Sequence, residues 1–361
     1  MTATRDNRMC FLRENDRVNS GEDSYVTHYE LISESYITGG LYDESALFGG
    51  NIEMRMLGES PYIKGLNVYR LTIRHPRPNN GAIEDTNASR DGYFSDEGPQ
   101  GELMGLFSLF LNSRFYLTSV IHEELCHLSP YKFHFQPCSK NVAGFLFNED
   151  KNFNHIAPKF SLIENFPGQY HQKFYFSIRF YSRALRLISI DKDVAYLNLV
   201  NAIETLLDYV DLGDEFERAE VEIREKIEKA SFEASVQSEL VAYLKQRKKG
   251  HKFLVFLKKY SSTSSPLFNN APGKEHIYIS YANFESHLKK IYQARSAYVH
   301  AGEPFHISSD SSRDWHLDGS LGQTWDQRQW EGSPLPRFFW FASLVRECLM
   351  NFLEEKAQLT I

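Results

Sequence analysis

The sequence predicts an α+β domain followed by an all-α helical bundle, and three observations carry that reading. Short runs of β-branched and aromatic residues, separated by glycine-rich turns, fill residues 25–75. A segment crowded with Pro, Gly, Asn and Asp, residues 76–101, then interrupts all periodicity. From Glu102 onward the apolar spacing turns helical, and from Gln172 it is nearly continuous. The expected domains are therefore residues 1–170, α+β, and residues 171–361, helical.

The strand runs are "YVTHYELISESYI", "NIEMRML" and "NVYRLTIRH". Residues 122–170 mix Pro, Gly and apolar positions without a clear period. Helices are expected over 172–190, 192–211, 214–248, 251–260, 283–301 and 335–357. Residues 261–273 read as a polar loop. Residues 302–336 form a long insertion whose Trp315, Trp325 and Trp330 argue against simple disorder. Ser333 and two prolines suit the start of the last helix.

With 361 residues the chain is long enough for two domains, and 42% hydrophobic with 24% charged residues is an ordinary globular composition. A net charge of −7 argues against wholesale coating of nucleic acid and leaves room for a local basic patch. Four cysteines, Cys10, Cys126, Cys138 and Cys348, without a signal peptide point to free thiols in a reducing, cytoplasmic setting. The most lipid-like run, residues 103–121, carries Asn112 and Arg114 and reads as a buried helix, so no membrane association is expected.

The stretch beginning at Asn283 sets the functional question. At about 100° per residue, Phe284, Leu288, Ile291, Tyr298 and Val299 share one stripe, with Arg295 near its centre. An arginine in such a stripe requires a polar partner. His300 falls on the final turn, just before Gly302 at the helix end. A fixed positive charge beside a group titrating near neutrality suits a phosphate. Residues 196–210 form an almost wholly apolar helix containing Glu204, a carboxylate that wants a cation. Arg295 is the matching candidate. Glu204 reads equally as its structural partner and as part of an active site.

A basic run, residues 244–260, holds seven Lys or Arg and no acid. Lys245, Arg247, Lys248, Lys249 and Lys252 could neutralise a nucleic-acid backbone, with Tyr260 stacking on a base. A plain solvated helix end is the competing reading. Phe253, Phe256 and Leu257 belong in the core. The cluster His122, Cys126, His127, His134 and Cys138 invites a zinc reading, but Cys126 replaces the second histidine of H-E-x-x-H and no C-x-x-C pair exists. P-loop and dinucleotide signatures are absent, so neither metal nor cofactor is expected.

Taken together, "NAIETLLDY", "LKKIYQARSAYVHAG" and "FFWFASLVRECLMNFLE" resemble the three landmarks of HEPN domains, particularly the ApeA-like group. In that group an A-L-E-x-L helix precedes an R-(N/D/S)-x-x-x-H-x-G helix, and a closing helix carries R-E-x-L. Ile203 stands here for the usual Leu, and the insertion at 302–336 is a departure. The resemblance covers roughly residues 172–361 and leaves the N-terminal half unmatched. It implies a metal-independent endoribonuclease, as in antiphage defence or toxin–antitoxin systems, alongside non-catalytic members that bind a protein partner. Catalytic positions would be Arg295, Ser296 and His300, with Glu204 as the helix-borne acid. RNA, tRNA among it, is the expected substrate, and a phage or antitoxin protein a candidate partner. Because one chain offers one such Arg–His pair, a homodimer with a composite site is expected.

Overall fold

The structure is a computed structural model that describes residues 8–38, 40–41, 48–61, 65–77, 98–122, 131–132, 151–188, 190–230, 232–268, 279, 281–305, 335–336 and 338–358. A small antiparallel sheet near the N-terminus precedes a mostly helical region. The described residues divide into two compact units. One takes in residues up to Asn198 together with the chain from Phe352, and the other holds Leu199 onward up to Asn351.

In the first unit, helix α1 (Cys10–Asn19) precedes β1 (Ser24–Ser33), β2 (Gly40–Leu41), β3 (Ile52–Glu59) and β4 (Asn67–Pro76). Helix α2 (Gly98–Leu111) then leads into β5 (Tyr116–His122) and β6 (Tyr131–Lys132). The strand order is β2-β3-β4-β1-β5-β6. Strand β1 is central and pairs along its whole length with β4, from Ser24 opposite Pro76 to Ser33 opposite Asn67. The buried side is aromatic: Phe107 meets Phe115, Phe153 and Phe160 at centroid distances of 6.0, 6.1 and 5.9 Å. Such ring contacts hold a core beyond plain burial.

The apolar run 103–121 is buried over residues 103–115, as expected, but it is not one helix. Asn112, at φ 47°, ends α2 in the left-handed conformation that Asn tolerates, and the chain continues as β5. The Asn112 side chain accepts from the Tyr181 hydroxyl at 2.9 Å, and its carbonyl accepts from Lys151 at 2.9 Å. Arg114 Nε donates to the Glu34 carboxylate at 2.6 Å. Tertiary partners thus fix a turn that periodicity alone passes over.

Helices α3 (Ala157–Glu164) and α4 (Gly168–Leu187) follow, and α5 (Lys192–Glu204) passes from the first unit into the second. The expected boundary at residue 170 therefore falls within α4. That helix packs on α2, with the Ser108 and Ser182 hydroxyls 3.1 Å apart, which keeps it with the sheet. Helix α5 stops at Glu204, short of the expected 211, and a 3₁₀ turn spans Leu207–Tyr209.

The second unit continues with α6 (Asp214–Lys229), α7 (Ala234–Tyr260), α8 (Phe284–Ala301) and the first part of α9 (Phe338–Gln358). The expected break at residues 249–250 does not occur: α7 runs straight through Gly250, and it is α6 that ends at Lys229, with α7 beginning at Ala234. Phe253, Phe256 and Leu257 are fully buried, as are Leu288, Ile291, Leu344 and Cys348. At the end of α7, the Ser262 N–H and Ser265 hydroxyl donate to Glu347 at 2.7 and 2.6 Å, so α9 caps the loop that leaves α7. No helix among the described residues is long and apolar enough to cross a membrane.

Candidate functional site

The apolar stripe of α8 is buried at Phe284, Leu288 and Ile291. Towards the C-terminus the burial fades: Val299 is 48% exposed, against the expectation that it belongs to the packed stripe. Gly302 closes the helix at φ 69° and ψ 17°, with its N–H donating to the Tyr298 carbonyl at 3.1 Å. Glycine accepts this left-handed conformation readily, so the helix ends at Ala301, one residue past His300, whose imidazole is exposed.

Arg295 meets the partner the sequence proposed. Its guanidinium donates to the Glu204 carboxylate at 2.7 Å, with side chains 21% and 18% exposed. Tyr292 lies beside them. Burial lifts its phenol above the ordinary range, the Glu204 charge adds to the rise, and Arg295 partly offsets it. Arg295 Nε and Glu204 Oε1 are buried without a hydrogen-bond partner among the described residues.

A groove of about 930 Å³ runs between α6, α7 and α8. Ser296 and His300 line it from α8; Arg295 and Glu204 do not. The reason is the helical wheel: Arg295 is about 100° from Ser296 and turns inward to Glu204, whereas Tyr292, Ser296 and His300 recur at four-residue steps on the open face. Arg295 therefore stands outside the lining that Ser296 and His300 share. Its charge is already committed to Glu204.

The opposite wall is α7. Gly250 faces Tyr292 across the groove: a Cβ there would meet the ring at 3.1 Å. Further along, Lys258 of α7 and Lys289 of α8 both bond Glu285, at 3.0 and 2.7 Å, and hold its carboxyl down to about 2, Lys289 contributing first. On the α6 side, Phe216 and His251 stack at 4.8 Å with ring planes 4° apart.

The six residues proposed for RNA contact separate. Arg247 lines the groove and is exposed, and Lys245 and Lys249 are exposed outside it. Lys252 is half-buried and also lies outside the groove lining. Lys248 is engaged by Glu220 and Glu217 at 2.7 and 2.9 Å, which takes its charge away from an anion. Tyr260 is 5% exposed and packs on Phe256 at 4.7 Å, so it has no free face for a base and the stacking expectation fails there.

The groove aromatics Tyr243 and Phe216 escaped the sequence reading. The available signal was Gly250, a glycine inside a helical pattern, which marks a close approach. Cys126, His127, His134, Cys138, Trp315, Trp325 and Trp330 lie outside the described residues, as does the His122 side chain. Cys10 and Cys348 are free and buried.

No family model, curated protein or solved structure matches the chain.

Proposed function

We propose that the chain is a metal-independent endoribonuclease of the HEPN type. The observation that carries this reading is the 2.7 Å pairing of Glu204 with Arg295, which joins the two motif-bearing helices and sets Ser296 and His300 on one groove. Cleavage runs through the RNA's own 2′-hydroxyl. A base removes its proton, the oxygen attacks phosphorus, and an acid returns a proton to the departing 5′-oxygen, leaving 2′,3′-cyclic phosphate and 5′-hydroxyl ends. His300 is the proton-transfer group, and Arg295, bound to Glu204, is a positioning residue that seats α8. A two-fold dimer supplies the second His300, and the exposed Val299 beside it offers an apolar contact for that pairing. Antiphage defence or a toxin system is the setting the resemblance suggests.

The test incubates purified protein with total RNA and with tRNA in EDTA. His300→Ala should lose on the order of a hundredfold to ten-thousandfold in cleavage with unchanged folding, because the imidazole is exposed. Arg295→Ala should lose both cleavage and stability. Equal cutting by wild type and His300→Ala assigns the activity elsewhere. No cutting by either, with a protein partner captured instead, points to a non-catalytic HEPN module.

A further inference from the structure

The register of α7 against α8 follows from two contacts. Gly250 abuts Tyr292, and Lys258 bonds Glu285, so the helices are antiparallel. Arg247 stands one turn before Gly250 and Ser296 one turn after Tyr292, which sets the two opposite each other. One turn further, Tyr243 stands opposite His300. All four side chains line the same groove. Arg247 is exposed and makes no ion pair among the described residues, unlike Arg295 and Lys248. Tyr243 is 62% exposed, an aromatic surface that a packed bundle does not use. Among the described residues the one acid lining the groove, Glu285, is already held by Lys258 and Lys289. An anion with attached flat rings matches this surface better than a peptide does.

We propose that this groove binds single-stranded RNA, with Arg247 holding a backbone phosphate and Tyr243 stacking on the adjacent base, so that the phosphodiester lies against His300. The choice of RNA rests on the nuclease reading. The positions of the charge and the ring rest on the register. Single strands fit because their bases are free to stack, whereas a duplex hides them. Arg247 therefore supplies the fixed cation that Arg295, committed to Glu204, does not bring to the groove.

The experiment measures binding of a fluorescent single-stranded 2′-O-methyl oligonucleotide, which lacks the attacking hydroxyl, across a range of salt. Tyr243→Ala should weaken binding roughly fivefold to a hundredfold without altering the salt slope. Arg247→Ala should weaken it and reduce the slope by about 0.7, the share of one phosphate contact on a single strand. Lys229→Ala, on α6 outside the groove, should change neither. Wild-type affinity in both groove variants, no binding by wild type, or a preference for the duplex overturns the proposal. Cleavage by the same variants separates it from the nuclease reading. Tight, groove-dependent binding without cleavage leaves the subsite standing and removes the nuclease. Cleavage untouched by Arg247→Ala and Tyr243→Ala does the reverse.

Discussion

The Arg295 guanidinium reaches the Glu204 carboxylate at 2.7 Å and ties α8 to the end of α5, yet neither group lines the groove that holds His300. The pair thus acts on the site through helix placement. Glu204→Ala should destabilise the protein by about 2–4 kcal/mol, because it strands a largely buried guanidinium; the partial exposure keeps it near the lower end of that span. Glu204→Gln, which still accepts a hydrogen bond, should cost less. Urea midpoints for the two variants check the order, and equal midpoints would refute it.

Gly250 gives a second prediction. A Cβ there would press on the Tyr292 ring at 3.1 Å, and that ring is backed by Phe253 at 5.2 Å. Gly250→Val should cost about 1–3 kcal/mol by overpacking. Gly250→Ala should cost less, because better helix propensity returns up to about 1 kcal/mol. Trimming the ring with Tyr292→Leu should shrink the penalty of Gly250→Val, and a double-mutant cycle measures that coupling.

At the end of α8, Gly302 occupies φ 69°, and among the described residues nothing lies within 4 Å of the place of a Cβ. Substitution meets backbone strain and no steric clash. Gly302→Ala should lose about 1–2 kcal/mol, and Gly302→Asn distinctly less. Hydrogen exchange should show faster opening of the amides around His300 in the Ala variant. Unchanged protection there would be the contrary result.

The first unit carries a pH-dependent element. Glu102 accepts from the Cys10 and Phe11 N–H groups at 2.9 and 3.0 Å and so caps α1 from α2. Burial pushes its carboxyl up to about 8; the two N–H groups and Arg13 pull it back, and Glu14 adds to the rise. A folded value above the ordinary 4.5 means the native state holds the proton longer than the unfolded chain. The stability it gives is full below about pH 4.5 and is lost as the pH rises through about 8. Subtracting Glu102→Gln from wild type in urea unfolding isolates this slope from the neighbouring Glu14–His75 pair at 2.7 Å. A difference that does not vary with pH would exclude it.

Legibility varied with how local the determining physics was. Strand alternation in residues 25–75 and the apolar stripe of α8 are periodic, so β1, β3, β4 and α8 could be read directly. The Glu204–Arg295 partnership was legible too, because two oppositely charged residues sat on otherwise apolar helices. Helix α1 carried no early signal.

By itself the sequence determined strands β1, β3 and β4, the Glu204–Arg295 match and the terminal place of His300, all of which follow from periodicity and the cost of burying an unpaired charge. Only the tertiary structure decided which charges remain available. Lys248 is bound by Glu217 and Glu220, Tyr260 is buried under its neighbours, and Arg295 turns inward, while Arg247 and Tyr243 face the groove. The physical reason is that exposure depends on which helix packs against which face. That pairing is set by contacts such as Gly250 on Tyr292, between residues far apart in the chain.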